Sequence, residues 1–256
     1  MIRELEYMTW LEARDAAKET DTVLIPIGAL EPQGPHLPLG TDTLAAKYAA
    51  LKLAEKANVV LAPSINFGYS GWFKGFQGLI TIRKDTMTDL LRQYCRSLAE
   101  SGFKRQLFLS PHLGNNDLIG EVGIELREEG VKMALINLWH ATNPIAKIKN
   151  IDFKENVFTH AGEIMTSVMM VITPDSVKMN AAIAEQPKSA VPGCNFGTMF
   201  DVNFNGLNYV VYRFSGEDTK SGSYGDPMAA TAEKGKQVID GWLENITEFI
   251  ENFQKY

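Results

Sequence analysis

The stretch TVLIPIGALEPQGPHLPLGTD, residues 22–42, joins an apolar run to a loop rich in proline and glycine. Its first part, residues 22–30, predicts a strand buried on both faces, as in the parallel sheets of α/β proteins. A helical pattern follows, because Leu44, Tyr48 and Leu51 recur at a spacing that places them on one face of a helix. A buried strand that leads through a turn into a helix is the repeating unit of a parallel sheet.

The same alternation continues along the chain. Short apolar runs predict further strands at residues 59–63, 106–110, 133–139 and 207–214. Helical patterns lie at residues 86–100, 117–129, 161–172 and 227–253. We therefore predict an α/β fold, a three-layer α/β/α sandwich with a largely parallel central sheet. No internal repeat, low-complexity tract or linker interrupts the pattern, so residues 1–256 are expected to form a single domain.

The composition excludes several classes of protein. Of the 256 residues, 45% are hydrophobic and 22% are charged, which is typical of a globular chain and argues against disorder. A net charge of −6 offers no basic surface to nucleic acid. No apolar run approaches the roughly 20 residues of a membrane-spanning helix, so we expect no membrane partner. The N-terminus has no apolar signal core, and the two cysteines, Cys95 and Cys194, fit a reducing compartment, which together predict a cytoplasmic protein.

Chemically active side chains follow the predicted strands. All four histidines and three carboxylates stand where a strand ends or a helix begins; they are Glu31, His36, Asp42, His112, His140, His160 and Glu163. Because the carboxyl ends of parallel strands converge at one edge of a sheet, we expect several of these side chains to meet there. Imidazole and carboxylate groups suit Zn²⁺, Mn²⁺ or Fe²⁺ as ligands. Purely structural roles are the alternative to metal binding. Asp42 could cap a helix, and the negative charge of Glu163 could stabilise the N-terminus of a helix through the helix dipole.

Four motifs resemble those of the creatininase (creatinine amidohydrolase) family. IGALEPQGPHLPLGTDTLAA, residues 27–46, is similar to the family pattern G-S-x-E-Q-H-G-x-H-L-P-L-x-T-D. SPHLGNN at 110–116 resembles N-G-H-G-G-N, and HAGEIMTS at 160–167 resembles H-A-G-E-x-E-T-S. GDPMAATAEKG at 225–235 is similar to G-D-P-x-x-A-x-x-E-K-G. The motifs stand in the family's order, and the resemblance covers nearly the whole chain.

The resemblance implies both a fold and a chemistry. It implies a compact α/β/α domain that is commonly assembled as a hexamer and has a divalent-metal site, often binuclear. It also implies that the protein hydrolyses cyclic amides or related carbonyl compounds. The side chains that match the family's metal ligands are Glu31, Asp42, His112 and Glu163. Asp42 matches the carboxylate shared between two metals, and Glu163 would ligate the second metal or assist it. His160 matches a histidine that moves protons near the substrate, and His36 lies in the site region.

This chain departs from the family pattern around the second metal. Gln33 stands where the family has a histidine ligand; a glutamine oxygen can bind a metal, but it is neutral and suits harder cations. Met165 replaces the second glutamate of H-A-G-E-x-E-T-S. We therefore expect an intact first site for Zn²⁺ or Mn²⁺, with Fe²⁺ as a third choice, and a weakened second site. Creatinine itself becomes a poor candidate substrate.

An aromatic loop supplies candidate substrate contacts. Residues 70–79 read SGWFKGFQGL, whereas the similar family loop, S-x-E-H-x-x-F-P-G-T, carries a histidine and a threonine. Trp72 and Phe73 from this loop, together with His36 and His140, are the side chains that we expect to face a small-molecule substrate.

Three functions stay open at this point. The first is a metal-dependent hydrolase that resembles creatininase and acts on a small cyclic amide or a related amide carbonyl. The second keeps the metal site but opens a ring by cleaving a carbon–carbon bond of an inositol-derived cyclic diketone, as some family members do. The third is a non-catalytic binding protein whose site has decayed. Serine-hydrolase, dinucleotide and P-loop chemistries are excluded, because GxSxG, GxGxxG after a strand and GxxxxGK(S/T) do not occur.

Overall fold

The central sheet is built from parallel strands around the apolar run at residues 22–30. The computed structural model describes residues 2–155 and 159–256. In spatial order, the sheet consists of β2 (Val60–Leu61), β1 (Thr22–Pro26), β3 (Arg105–Leu109) and β4 (Lys132–Ile136). Leu24 lies beside Leu61 on one side and beside Leu107 on the other. β1 is buried over its whole length, which agrees with the predicted strand.

Helices cover both faces of this sheet. One face carries α2 (Thr41–Ala54), α5 (Leu138–Ile148), α6 (Glu163–Ile172) and α7 (Ala232–Phe253). The other face carries α1 (Trp10–Glu19), α3 (Lys84–Glu100) and α4 (Asn116–Arg127). Alternate strand residues point to opposite layers, so Leu24 and Leu107 pack with the first group while Ile25 and Phe108 pack with the second. The predicted three-layer α/β/α sandwich with a parallel sheet is therefore confirmed.

A second, smaller sheet lies between α6 and α7 in the chain. It is antiparallel and consists of β5 (Asn195–Phe196), β6 (Asp201–Phe204) and β7 (Leu207–Val210). Asn205 and Gly206 join β6 to β7 with positive φ angles of 52° and 83°, as in a type I′ hairpin turn. The sequence predicted one longer strand, at residues 207–214. The hairpin was not predicted, because its strands mix apolar residues with asparagine and aspartate.

Helix α5 was not predicted from the sequence. The run at residues 133–139 was expected to be a strand, but β4 ends at Ile136. The side chain of Asn137 accepts a hydrogen bond from the backbone N–H of His140 (2.9 Å) and so caps a helix. Trp139 is therefore a buried residue in the first turn of α5, and His140 is an exposed one.

The C-terminal helix is amphipathic. Trp242, Ile246 and Ile250 of α7 are buried in the core, whereas Lys236 and Glu244 face solvent. Throughout the described residues, no helix combines the length with the apolar character that crossing a lipid bilayer requires.

Candidate active site

Three side chains of metal-ligand type meet at the edge of the sheet where β1 and β3 end. Glu31 lies on the loop after β1, Asp42 in the first turn of α2, and His112 on the loop after β3. The Nδ1 atom of His112 lies 3.4 Å from Glu31 Oε1 and 3.4 Å from Asp42 Oδ2. The exposed fractions of the three residues are 2%, 2% and 4%. The structure thus brings these three candidate ligands together, and we call them the triad.

The triad forms a buried, negatively charged pocket. Burial opposes the charged form of His112, yet the carboxylates of Glu31 and Asp42 outweigh this effect and raise the pKa of the imidazole well above its usual value. Glu31 Oε2 is buried and has no hydrogen-bond partner among the described residues. Ligand atoms of all three residues lie within 4.8 Å of one another. Two carboxylates and an imidazole at this separation, with one unsatisfied oxygen, fit a divalent cation.

Hydrogen bonds from neighbouring groups orient the triad. His112 Nε2 donates to the carbonyl oxygen of Tyr69 (2.7 Å), which leaves Nδ1 to bind a metal. Trp139 Nε1 donates to Asp42 Oδ1 (2.8 Å), while the other oxygen of Asp42 faces the histidine. A Cβ at Gly114 would lie 2.0 Å from the Tyr69 oxygen, so this close approach requires glycine. The roles of Trp139 and the Tyr69 carbonyl were not predicted, because neither an apolar run nor a backbone oxygen carries a recognisable pattern.

Gln33 faces the same two carboxylates as a hydrogen-bond donor. Its Nε2 lies 3.3 Å from Glu31 Oε1 and 3.5 Å from Asp42 Oδ2, and the residue is fully buried. Its oxygen, Oε1, has no hydrogen-bond partner in the described part of the chain. Gln33 therefore lies beside the triad, but it presents N–H groups where a metal ligand must present an oxygen.

His160 lies next to the triad. Its Nδ1 is 4.0 Å from Glu31 Oε1, and its Nε2 donates to the carbonyl oxygen of Pro32 (2.8 Å). The ring of Phe73 packs against the imidazole at a centroid distance of 4.9 Å. Because the Nε2 proton is held by Pro32, Nδ1 is the atom that can accept a proton beside the carboxylates. This geometry suits the proton-transfer role predicted for His160.

The structure places Glu163 outside the triad. Its Oε1 accepts a hydrogen bond from Lys234 Nζ (2.5 Å). Its Oε2 accepts from the backbone N–H groups of Lys154 (2.6 Å) and Glu155 (3.0 Å). Both oxygens are therefore engaged at the start of α6. The resemblance implied a metal ligand at Glu163, but no local pattern could reveal that a lysine from α7 binds this carboxylate.

His36 is buried away from the cavity beside the triad. Its Nε2 lies 2.9 Å from Thr166 Oγ1, and burial lowers the pKa of the imidazole to about 4. The sequence predicted a substrate contact at this position. In the structure, His36 instead connects the loop after β1 to α6 as a neutral, buried group.

A cavity of about 480 Å³ lies beside the triad. The aromatic side chains that line it are Trp72, Trp139, Phe196, Phe200 and Tyr224. Among the predicted substrate contacts, Trp72 and His140 line this cavity. Phe73 is instead fully buried and packs on His160, so it supports the site without lining it.

The loop that joins β5 to β6 contributes a cavity wall that was not predicted. Residues 196–200 all line the cavity, and we call them the wall loop. Arg213 holds this loop, because its Nη2 donates to the carbonyl oxygens of Thr198 (2.9 Å) and Asp201 (3.3 Å). The same guanidinium pairs through Nε with Asp218 Oδ2 (2.7 Å). Aromatic residues four positions apart in a polar stretch were the signal that could have indicated this wall.

Comparisons with known proteins relate this arrangement to a family. The model of the creatininase family, described as creatinine amidohydrolase, matches residues 6–250. The mycofactocin precursor peptide peptidase of Mycolicibacterium smegmatis is 27% identical, over 91% of this chain and 85% of that protein. The creatinine amidohydrolase of Pseudomonas putida is 25% identical, over 95% and 94%. The 3-dehydro-scyllo-inosose hydrolase of Thermotoga maritima is 24% identical, over 97% and 82%.

The fold of a solved structure, "Creatininase Mn", is similar. It matches with a TM-score of 0.82 and 23% identity and covers 98% of each chain. The three relatives bear the names of three different reactions, so similarity alone leaves the substrate open. Because the family model extends over residues 6–250 of 256, this chain belongs to the creatininase (creatinine amidohydrolase) family.

Proposed function

We propose that this chain is a metal-dependent hydrolase that cleaves an amide bond of a small substrate and uses one divalent cation, Zn²⁺ or Mn²⁺. The observation that carries the proposal is the buried triad of Glu31, Asp42 and His112 beside a cavity of about 480 Å³. Three protein ligands leave a coordination position for water or substrate, which is typical of catalytic metal sites. The relatives support hydrolysis as the reaction class, since their names are those of hydrolases and a peptidase.

The triad and its neighbours prepare the site for this chemistry. When bound, a divalent cation supplies a Lewis acid for the substrate carbonyl and makes water a stronger acid. Glu31 and Asp42 provide the negative charge that balances such a cation. The Trp139 N–H and the Tyr69 carbonyl orient Asp42 and His112, respectively. Burial of the triad excludes bulk water, which strengthens each electrostatic interaction in the site.

His160 is the residue to which we assign proton transfer. Its Nδ1 faces the triad at 4.0 Å from Glu31 Oε1, while its Nε2 proton is held by the Pro32 carbonyl. Nδ1 can therefore accept a proton from the attacking water and deliver it to the leaving nitrogen. Phe73 packs on the ring, and the backbone N–H of Tyr224 donates to the His160 carbonyl (2.9 Å), so the residue is fixed in place.

Gln33 limits the proposed site to one cation. Its amide N–H groups face Glu31 and Asp42, the carboxylates that a second cation would have to share. Glu163, the other candidate ligand, is bonded to Lys234. The amide of Gln33 supplies two weak donor contacts to these carboxylates in place of a second positive charge.

Ring opening of an inositol-derived cyclic diketone is the second candidate function. It would use the same triad, and the relative from Thermotoga maritima is named 3-dehydro-scyllo-inosose hydrolase. A polyhydroxylated ring needs many hydrogen-bond partners. The cavity walls, however, include the apolar side chains Trp72, Phe196, Met199 and Phe200. These walls favour an amide substrate with apolar parts over a polyol.

Product analysis separates the candidate reactions. Purified protein reconstituted with Zn²⁺ or Mn²⁺ is incubated with creatinine, with a series of N-acyl amides and short peptides, and with the cyclic diketone. Cleavage of an amide C–N bond, seen as free amine from an acyclic amide or peptide or as creatine from creatinine, supports our proposal. Acid formation from the diketone, without cleavage of any amide C–N bond, supports ring opening instead. Failure to bind metal would support the non-catalytic alternative.

Substitution of a triad carboxylate provides the control for this assay. Glu31→Gln removes one negative ligand, and we expect it to lower metal affinity and kcat/KM at least about 100-fold. Glu121→Gln is the matched substitution at an exposed position of α4 and should change neither quantity. Full activity and metal content in Glu31→Gln would contradict the proposed function.

A further inference from the structure

Two pairs of aromatic rings flank the triad and the proton-transfer histidine. Trp72 and Phe200 meet edge to face at a centroid distance of 5.5 Å, and Trp72 also stacks on the ring of the triad histidine at 5.9 Å. Phe196 and Tyr224 stack at 5.6 Å, and Tyr224 meets the ring of His160 edge on at 6.2 Å. All four aromatic residues line the cavity. Each histidine of the reacting centre therefore has an aromatic pair beside it.

The described residues that line the cavity offer an anionic group no permanently charged cation. Among the described residues that line it, none is lysine or arginine, whereas Glu31 and Asp42 contribute carboxylates. Arg213, which supports the wall loop, is already paired with Asp218 and bonded to backbone carbonyls. A carboxylate or phosphate on the substrate would lose its hydration here and gain no positive side chain in return.

The size and support of the cavity favour a substrate larger than a single small ring. A volume of about 480 Å³ lies within the range of roughly 300–1,000 Å³ that holds larger organic ligands by apolar and aromatic contacts. The wall loop is fixed by the bonds of Arg213 to Thr198 and Asp201. The backbone that carries Phe196 and Phe200 is therefore held in place by protein contacts.

We infer that the substrate carries an uncharged, flat apolar group, such as an aryl ring, close to the hydrolysed carbonyl, and no anionic group at that end. This inference rests on the proposed function and specifies its substrate class. The aryl group packs among Trp72, Phe200, Phe196 and Tyr224, while the carbonyl lies at the triad. Aromatic walls bind such a group through apolar contact and ring–ring geometry.

Hydroxamates test this inference, because they bind metal through one end and carry a variable group at the other. Binding of acetohydroxamate, 3-phenylpropanohydroxamate and its 4-carboxyphenyl analogue to the zinc-loaded protein is measured by calorimetry. We expect the phenyl group to tighten binding about 30-fold over acetohydroxamate, because it removes apolar surface from water. The added carboxylate should abolish that gain.

Two substitutions test whether the phenyl group contacts Trp72 and Phe200. Trp72→Ala and Phe200→Ala should each reduce the gain from the phenyl group about tenfold, where the gain is the ratio of phenyl-analogue affinity to acetohydroxamate affinity in the same variant. Phe204→Ala, at an exposed aromatic residue of β6, is the matched control and should preserve the gain. Equal binding of all three hydroxamates, or tightest binding of the carboxylate analogue, would overturn the inference. Failure of even acetohydroxamate to bind would overturn the proposed metal function and the inference with it.

Discussion

At the scale of single residues, Asp42 is held at both of its oxygens. Trp139 Nε1 donates to Oδ1 at 2.8 Å, and Gln33 Nε2 lies 3.5 Å from Oδ2. A carboxylate restrained in this way has little freedom to rotate, so its orientation is set before a cation arrives. We therefore expect the hydrogen bonds that orient Asp42 to contribute to metal affinity, in addition to its charge.

Trp139→Phe tests this orientation. The substitution removes the N–H donor but keeps an aromatic ring, and we expect metal affinity to fall about tenfold or more. Affinity is measured by competition with a chromogenic chelator. Trp10→Phe, at an exposed indole, is the control and should leave affinity unchanged. Equal affinities for Trp139→Phe and the wild type would show that the hydrogen bond has no part in metal binding.

His36 makes the stability of the protein sensitive to acid. Burial lowers the pKa of its imidazole from 6.5 in an unfolded chain to about 4. Between pH 6.5 and pH 4, His36 is therefore protonated in the unfolded state but neutral in the native state. This difference lowers the free energy of unfolding by about 3 kcal/mol at pH 4. His36→Gln should be less sensitive to pH across this window. Urea unfolding at several pH values checks this, and parallel stability curves for the two proteins would contradict it.

The candidate ligands differ in how far the sequence could predict their surroundings. The three triad residues lie just after parallel strands or at the start of the helix that follows one. Their convergence is therefore a consequence of the sheet topology. Glu163 is a glutamate like Glu31, and its motif also resembles a metal-ligand motif of the family. Its partner, Lys234, lies 71 residues away on another helix, and no local pattern indicates such a pair.

At the scale of elements, Arg213 joins the small antiparallel sheet to the cavity. Its guanidinium binds Asp218 and the carbonyl oxygens of Val211, Thr198 and Asp201. The side chains of both members of the ion pair are almost fully buried. A buried pair of this kind leaves an uncompensated charge when one partner is removed. We therefore expect substitution of Arg213, which supports the wall loop, to lower the stability of the protein.

Arg213→Ala should lower the free energy of unfolding by about 3 kcal/mol, because Asp218 would be left buried without its partner. Chemical denaturation measures this change. Arg83→Ala breaks an ion pair whose members are both exposed and should cost less than about 0.5 kcal/mol. Similar losses for the two variants would contradict the supporting role of Arg213.

Elements were predictable where a periodic apolar pattern determines them. The run at residues 22–30 and the helix at residues 86–100 correspond to β1 and α3 with shifted ends. Helix α5 was missed, because Asn137 caps a helix inside an apolar run. The β6–β7 hairpin was missed as well, since its pairing depends on one Asn-Gly turn more than on hydrophobic alternation.

At the scale of the whole molecule, the hexamer implied by the family resemblance stays a prediction. Large apolar side chains on and after β7 are exposed; they are Leu207, Tyr209, Val210, Tyr212 and Phe214. Several exposed large apolar side chains within one segment are a feature of protein interfaces. Sedimentation should therefore report six chains for the wild type, and Val210→Asp should yield smaller species. The control Ile124→Asp, at an exposed residue of α4, should keep the wild-type size. A monomeric wild type would contradict the prediction.

Crystals of the protein grown with Zn²⁺ or Mn²⁺, with anomalous scattering recorded at the absorption edge of the metal, show whether the triad binds a single cation. We expect one peak per chain, at about 2.0–2.2 Å from Glu31, Asp42 and His112 Nδ1. We also expect Gln33 to keep its amide N–H groups toward the carboxylates. A peak elsewhere, the absence of a peak, or a second peak ligated by Gln33 or Glu163 would contradict these expectations.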